Sequence, residues 1–362
     1  MTSPLQGLRV LDIASLYAAP LAATMLADFG ADVVKVEPPE GDGFRGTKMW
    51  PVVARGKRSV VLDLRSPEGC DQLKRLVARA DVLVENIPAK VLAKRGIGWP
   101  ELSIVNPSLI MLSLSCYGRT GPYADRPGSG TIGEAFGGLT NIIGFADGPP
   151  MLPGVALGDG VGAMSAVIGV MMALRGRELT GRGQQVDASL YEPILQVVGQ
   201  AMQGWSPGQA PQRSGSRLPG NPIRNVYATS DRRFVVISVS TDRHLNELLE
   251  LAGGDPAIEP DARLAAWVAR GAQAEVVETL SRRRLPVAPV NDVDALLADP
   301  HIAARASLIR ADDPELGPMV LAAPTPRLTE TPAQVRSLGP MLDEHHREVF
   351  AEWIGAAVGQ PT

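Results

Sequence analysis

GLRVLDI (residues 7–13), AAPLAATMLADF (residues 18–29) and DVVKVE (residues 32–37) follow one another near the start of the chain. The outer two are short runs of aliphatic residues typical of strands, whereas the middle one is a small-residue stretch compatible with a helix. A strand, a helix and a second strand form the repeating unit of a parallel sheet. These stretches therefore predict an α/β fold from the first residues onward.

The same alternation continues over the first half of the chain. SVVLDL (residues 59–64), DVLVE (residues 81–85) and LIMLSLS (residues 109–115) are further strand-like runs. Between the first two, Ser66-Pro67-Glu68 has the cap residue and the early proline that begin a helix. The sequence predicts an open parallel sheet covered by helices.

The second half of the chain has a different pattern. SPGQAPQRSGSRLPG (residues 206–220) is too rich in Gly, Pro, Ser and Gln to build a core element. A predicted hairpin (residues 225–240) and predicted helices (residues 242–251 and 272–281) follow it. We therefore expect a large α/β domain (1–205), a linker or flap (206–220), a smaller α+β domain (221–315) and a C-terminal segment that returns to the large domain (316–362).

Composition excludes several classes of protein. The 362 residues carry a formal net charge of −4, which predicts neither a nucleic-acid nor a membrane surface. Cys70 and Cys116 are too few for a disulfide framework, and the start lacks a signal-peptide pattern. The longest apolar run (residues 161–174) is shorter than a bilayer span of about 20 residues and predicts a buried helix. We expect a cytoplasmic protein that binds a small molecule.

Two common cofactor sites are not predicted. GSGTIG (residues 128–133) matches the dinucleotide fingerprint by spacing, but no strand precedes it, and the first strand-to-helix turn (residues 14–20) has no glycine. The four histidines all lie in the last third of the chain, and no G-x-S-x-G pentapeptide accompanies them. His345-His346 predicts a solvated helix face. We expect no metal and no tightly bound cofactor.

One carboxylate has an unusual position. In VALGDGVGAM (residues 155–164), Asp159 precedes an apolar helix and is flanked by glycines. It is either a helix cap, the commonest use of Asp at such a point, or a nucleophile that a bulky substrate can reach. Basic residues give a second indication, because RGKR (residues 55–58) and Lys94-Arg95 occur where loops of the sheet hold a phosphorylated ligand. Spacing alone leaves both interpretations of Asp159 open.

Several long segments together resemble the class III coenzyme A transferases of the CaiB/BaiF type, the family of formyl-CoA transferase and α-methylacyl-CoA racemase. The similar segments are LRVLD (8–12), ATMLADFGADVVKVE (23–37), RGKRS (55–59), VEN (84–86), GPY (121–123), LGD (157–159) and TGRGQ (180–184). The resemblance implies a Rossmann-like large domain, a small domain and a homodimer of two interlocked rings.

The resemblance also implies a chemistry and its residues. Asp159 is the expected nucleophile, which attacks an acyl-CoA to give a mixed anhydride and then an aspartyl-CoA thioester, so that CoA passes to an acceptor carboxylic acid. Backbone N–H groups near Gly158 and Gly160 are expected to steady the oxyanions. Tyr17 and Glu134 match substrate contacts. The positions matching the CoA contacts are Leu16, Ala18, Leu62, Arg65, Asn86, Ile87, Lys94, Arg95 and Leu190.

The chain also departs from the family pattern. Tyr17 replaces a glutamine, Pro38 an arginine and Ser115 a lysine of the formyl-CoA transferases, which leaves the acid substrate undefined. A racemase needs a second acid/base, for which relatives have a histidine where this chain has Ser129. The alternatives to a CoA-transferase are thus a 2-methylacyl-CoA racemase or epimerase, and a CoA-binding paralogue without catalysis.

Overall fold

The structure is a computed structural model that describes residues 3–208 and 212–355. It divides into two compact units, the first formed by Met1–Leu139, Leu152–Gln203 and Ala306–Thr362, and the second by Thr140–Met151 and Gly204–Arg305. Residues 209–211 of the expected linker fall outside the described residues.

The first unit is built on a six-stranded parallel sheet in the order β3-β2-β1-β4-β5-β6. Its strands are β1 (Arg9–Asp12), β2 (Asp32–Glu37), β3 (Arg58–Val61), β4 (Val82–Glu85), β5 (Ile110–Ser115) and β6 (Gln184–Ser189). The predicted open α/β sheet is therefore confirmed, and its strand order is that of a Rossmann-type sheet. The edge strand β6 was not predicted.

Helices cover the sheet of the first unit. They are α1 (Ala18–Asp28), α2 (Trp50–Ala54), α3 (Pro67–Val77), α4 (Ala89–Lys94), α5 (Trp99–Val105), α6 (Gly130–Phe136), α8 (Leu157–Thr180), α9 (Glu192–Val197), α10 (Gly199–Met202) and α16 (His346–Ile354), while α7 (Leu139–Ile142) begins in this unit. Val349, Phe350 and Trp353 of α16 join the core beside α3. His345 is only partly exposed, and its Nδ1 accepts from the Ser59 N–H at 3.3 Å.

Helix α8 is only half buried, which corrects the predicted buried helix. Ala163, Ala166 and Val170 pack into the core, whereas Met164, Ile168 and Met172 on its other face are 51%, 55% and 69% exposed. Small residues face the sheet and large ones face outward. Among the described residues, α8 alone is long and apolar enough to cross a membrane, a test that core helices of other proteins also pass.

The second unit combines a small antiparallel sheet with helices. The sheet has the order β7 (Ile223–Ala228), β8 (Phe234–Val239) and β9 (Val287–Pro289), so the predicted hairpin is present. Its helices are α11 (Asp242–Ala252), α12 (Pro260–Val268), α13 (Gln273–Arg282), α14 (Val293–Ala298) and α15 (Pro300–Ala304). The strands and three of the helices share one apolar core.

Residues 140–151 and residues 308–313 lie in a unit other than the one to which we assign them above, whereas residues 317–322 lie in the unit that we expect. Residues 140–151 belong to the second unit, where the Arg213 guanidinium donates to the Gly148 carbonyl at 2.8 Å. The hairpin of β10 (Leu308–Asp313) and β11 (Gly317–Ala322) belongs to the first unit, where Lys48 donates to the Pro318 carbonyl at 3.2 Å. The function of each unit stays a prediction.

Candidate active site

The sheet changes its winding direction between β1 and β4, and open α/β sheets bind ligands at the carboxyl ends of the strands at such a point. One side chain ties together the loops that follow these two strands. The Asn86 amide donates to the Ser15 carbonyl at 2.7 Å, and its Oδ1 accepts from the Ser15 N–H at 3.0 Å. Asn86 therefore fixes the backbone that leads into α1.

A cavity of about 400 Å³, which we call the Asp159 cavity, opens beside this junction. Residues predicted from the resemblance line it: Leu16, Tyr17, Ala18, Asn86, Asp159 and Leu190. Leu16 is 67% exposed and has a φ of 64°, a left-handed conformation that is strained for a branched residue. Strain of this kind is concentrated at functional sites.

The structure corrects the interpretation of Asp159 as a helix cap. The residue at the cap position of α8 is Ala156, and no side chain caps this helix end. Asp159 lies in the first turn, and its carboxylate instead accepts a hydrogen bond from the Gly130 N–H of α6. The side chain is half-buried in the cavity wall. Its carboxylate is therefore placed for chemistry on a ligand in the cavity.

The pKa of Asp159 is raised above its ordinary value. Burial is the main cause and the negative charge of Glu134 is the second, while the hydrogen bond from Gly130 opposes both. A carboxylate with a raised pKa is more basic and hence a stronger nucleophile once it is ionised. Tyr17 is affected in turn, because burial and the charge of Asp159 raise the pKa of its hydroxyl.

Glu134 is buried and does not line the Asp159 cavity. Its Oε1 accepts from the Gly158 N–H at 2.7 Å, which holds the start of α8 against α6. Because the Gly160 N–H donates to the Ala156 carbonyl at 3.1 Å, both backbone groups that we expected to steady an oxyanion are already engaged. Glu134 is thus a positioning residue, and that expectation about Gly158 and Gly160 is wrong.

Close packing, and not dinucleotide binding, explains why residues 128–133 contain three glycines. A Cβ at Gly128 would lie 2.4 Å from Cys116 Sγ, one at Gly130 2.2 Å from Asp159 Oδ2, and one at Gly133 3.1 Å from the Leu190 backbone. Contacts this short require the neighbouring atoms to move. The lack of side chains at these three glycines therefore lets α6 pack directly against Asp159 and the end of β5.

Two further cavities extend from the Asp159 cavity across the same unit. A cavity of about 220 Å³ is lined by Leu62, Ile87, Arg65 and Arg95, and it shares Ser15 with the Asp159 cavity. A basic cavity of about 660 Å³ shares Arg65 and Arg95 and adds Lys94. All the predicted CoA positions thus line one continuous series of cavities, from a carboxylate at one end to a cationic surface at the other.

The basic cavity contains two lysines that the sequence analysis did not assign, Lys74 and Lys90. Their signal was present, because every lysine of the chain falls within the first hundred residues. Lys74 lies on α3, and Lys90 lies on α4, the helix that ends at Lys94. Clustered cations of this kind match the phosphates of an elongated ligand.

The basic side chains of the other predicted segment, residues 55–58, are engaged in ion pairs within the protein. Arg55 pairs with Asp28 at 2.7 Å, Lys57 with Asp12 at 2.7 Å, and Arg58 with Asp32 at 2.6 Å. Arg55 and Lys57 are buried, and burial lowers the pKa of Lys57 to about 8. Because their charges are neutralised by ion pairs within the protein, these cations are not available to a phosphate.

Ser115 also lines the Asp159 cavity, at the end of β5. Its Oγ is enclosed and has no hydrogen-bond partner among the residues that the structure describes. A buried hydroxyl without a partner costs about 1–3 kcal/mol, so a polar ligand atom is the natural partner. Over residues 3–208 and 212–355, no group of three or more His, Cys, Asp or Glu is placed to hold a metal ion.

A family model described as CoA-transferase family III matches residues 5–346. The chain belongs to this family. A succinyl-CoA–L-malate CoA-transferase β subunit and a succinyl-CoA–D-citramalate CoA-transferase, both from Chloroflexus aurantiacus, are 39% and 38% identical to it. The matches cover 98% and 97% of this chain and 95% and 94% of those proteins.

A solved structure gives the same result for the fold. A CAIB/BAIF family protein from Brucella suis superposes with a TM-score of 0.85 at 31% identity, covering 98% of this chain and 100% of that one. The α/β architecture with a six-stranded parallel sheet and small antiparallel sheets is therefore the fold of this family. Thus this family III CoA-transferase has the architecture that the resemblance implied for a single chain.

Proposed function

We propose that this enzyme moves CoA from an acyl-CoA to a carboxylic acid through covalent intermediates on Asp159. The observation that carries the proposal is the free carboxylate of Asp159 in a cavity that continues into a basic cavity lined by Lys94 and Arg95. This arrangement suits CoA, which has a thiol at one end and phosphates at the other.

Each step of the proposed reaction conserves charge. The Asp159 carboxylate attacks the thioester carbonyl, and the C–S bond breaks to give a mixed anhydride and CoA thiolate. The thiolate attacks the Asp159 carbonyl of the anhydride, which releases the donor acid and leaves CoA on Asp159. The acceptor acid then repeats these two steps in reverse order. No step consumes ATP, because every intermediate is an activated acyl group.

Ser115 is the side chain that we assign to the oxyanions of these steps. The N–H groups of Gly158 and Gly160 are engaged elsewhere, whereas the Ser115 hydroxyl has no partner within residues 3–208 and 212–355. The residue lines the Asp159 cavity, and the assignment requires a rotation about χ1 that brings Oγ to the ligand. A donor there stabilises the charge that develops on the carbonyl oxygen.

A racemase is less well supported by the same cavity. Two-base chemistry needs a second group that carries a proton on the opposite face of the α-carbon. None of the four histidines, His244, His301, His345 and His346, lines the Asp159 cavity. Tyr17 and Cys116 do line it, but burial raises the pKa of both.

We further propose that the enzyme is a homodimer. The support is the exposed apolar face of α8, formed by Met164, Ile168, Met171 and Met172, because single soluble chains rarely leave such a stripe open to water. Interlocking of the two chains and a cytoplasmic location stay predictions from the resemblance and the composition.

The test of the covalent mechanism is a mass measurement on Asp159. The wild-type enzyme incubated with succinyl-CoA and quenched in acid should carry CoA or the acyl group, mapped by peptide mass spectrometry to Asp159. Asp159→Asn should abolish both the adduct and CoA exchange while still binding CoA. The matched control is Asp294→Asn, which removes an exposed carboxylate that lines none of the three cavities and should leave both the adduct and CoA exchange unchanged. Full exchange activity in Asp159→Asn would contradict the proposal.

A further inference from the structure

Two of the four charged side chains that line the Asp159 cavity have ion-pair partners. Two acidic and two basic side chains line it, namely Asp125, Asp159, Arg119 and Arg126. Arg119 is bound to the buried carboxylate of Glu85 and also donates to the Ile87 carbonyl at 2.9 Å.

Asp125 is likewise paired, with Lys90 at 2.8 Å. Two charges are left: the carboxylate of Asp159, and the guanidinium of Arg126, which forms no ion pair with any residue that the structure describes.

The Arg126 guanidinium is held in place by neighbours that do not neutralise it. Its carbon lies 3.7 Å from the centroid of the Tyr123 ring, a stacked arrangement that leaves the N–H donors free. The Arg126 N–H donates to the Tyr123 carbonyl at 2.9 Å, so a turn fixes the backbone as well. Gly128 then packs tightly against Cys116. The cation is thus preorganised at the wall of the cavity.

We propose that Arg126 binds the remote carboxylate of a dicarboxylic acid while the other carboxylate of that acid exchanges with Asp159. The acid substrate of this enzyme is then a dicarboxylic acid, and Arg126 determines that specificity. The inference rests on the proposed function, because it needs Asp159 to be the reacting group. An arginine fork matches a carboxylate with two parallel hydrogen bonds, which a point charge does not provide.

The acids named for the relatives agree with a cavity in which one carboxylate reacts at Asp159 and the other binds Arg126. Succinate, D-citramalate and L-malate, named for the two Chloroflexus aurantiacus relatives, are all dicarboxylic acids. Each has one carboxylate to activate and one that stays charged throughout. A charge that stays near the reacting centre needs a fixed partner in a cavity partly shielded from water.

The test compares two acids of equal length, isotopically labelled succinate and butyrate, as acceptors with unlabelled succinyl-CoA as donor, and follows the label into the acyl-CoA product. In the ping-pong scheme proposed above, kcat/KM for the acceptor depends only on steps after the donor acid has left. A defect in the binding of succinyl-CoA therefore does not change kcat/KM for the acceptor. The wild-type enzyme should prefer succinate, and Arg126→Gln should reduce that preference by about 10-fold or more, through a lower kcat/KM for succinate alone. Arg126→Lys should lie between the two.

The matched control is Arg79→Gln, which removes an exposed arginine that lines none of the three cavities and should leave the preference unchanged. Equal losses with both acids in Arg126→Gln would overturn the inference, since a structural role or a contact with CoA phosphates affects both. A wild-type enzyme without preference for succinate would also overturn it. If Asp159 carries the adduct in either case, the proposed function survives; if it never does, the proposed function fails first.

Discussion

Replacing Gly130 by alanine should slow CoA exchange by displacing the carboxylate of Asp159. A Cβ at this position would lie 2.2 Å from Asp159 Oδ2 and 2.4 Å from its Cγ, roughly 1 Å short of the closest ordinary contact. The carboxylate has to give way by about that distance, and displacing a reacting group by about 1 Å costs about 10²-fold in rate. We therefore expect kcat for CoA exchange to fall by about 10²-fold, or about 2.7 kcal/mol in activation free energy.

The assay separates a displaced nucleophile from an unfolded protein. Overpacking of this kind lowers the free energy of unfolding by about 1–3 kcal/mol, so the variant should still fold at room temperature. Thermal unfolding and CoA binding are measured beside the rate of adduct formation on Asp159. Gly199→Ala is the control, because its added Cβ meets nothing within 4 Å. A Gly130→Ala enzyme that forms the adduct at the wild-type rate would refute the steric argument.

Two further changes test the electrostatics of Asp159 and the assembly of the chain. Glu134→Gln removes the second cause of the raised pKa of Asp159 but keeps a hydrogen-bond acceptor for the Gly158 N–H. Asp159 has to be ionised to react in the proposed mechanism, so activity is lost as pH falls through its pKa. Because Glu134→Gln lowers that pKa, the acid limb of the pH–rate profile should move to lower pH. An acid limb that does not move would contradict the coupling between Glu134 and Asp159. Ile168→Glu places a charge on the exposed face of α8 and should shift the enzyme from dimer toward monomer in sedimentation, whereas a wild-type chain that sediments as a monomer would exclude the dimer.

The parallel sheet could be predicted because its central strands are continuous apolar runs. Residues 82–85 and 110–114 are buried on both faces and contain few polar residues. β6 escaped prediction because its sequence, QQVDAS, is mostly polar and only partly buried. Its strand conformation comes from pairing with β5, which is a tertiary effect that local sequence does not encode.

Asp159 could be singled out from its motif, but its surroundings could not be predicted. Glu134 and Gly158 are 24 positions apart, and their hydrogen bond exists only because α6 packs on the start of α8. The basic segments show the same limit. Residues 55–58 and the pair Lys94-Arg95 have similar composition, yet the first is neutralised by carboxylates 26 to 45 positions away. Only the folded chain distinguishes an internal ion pair from a cation available to a ligand.

The environment of Asp159 has to serve opposite demands in turn. In the proposed mechanism its oxygen is the nucleophile when the thioester is attacked, and the same carboxylate is the leaving group when the product acyl-CoA forms. Burial and Glu134 raise the pKa of Asp159, which favours bond formation, while the Gly130 N–H stabilises the free carboxylate and favours its departure. A large shift in either direction would trap one covalent intermediate. Opposed influences of this kind keep the free carboxylate and its acylated forms close in free energy, as a reversible exchange between two acids requires.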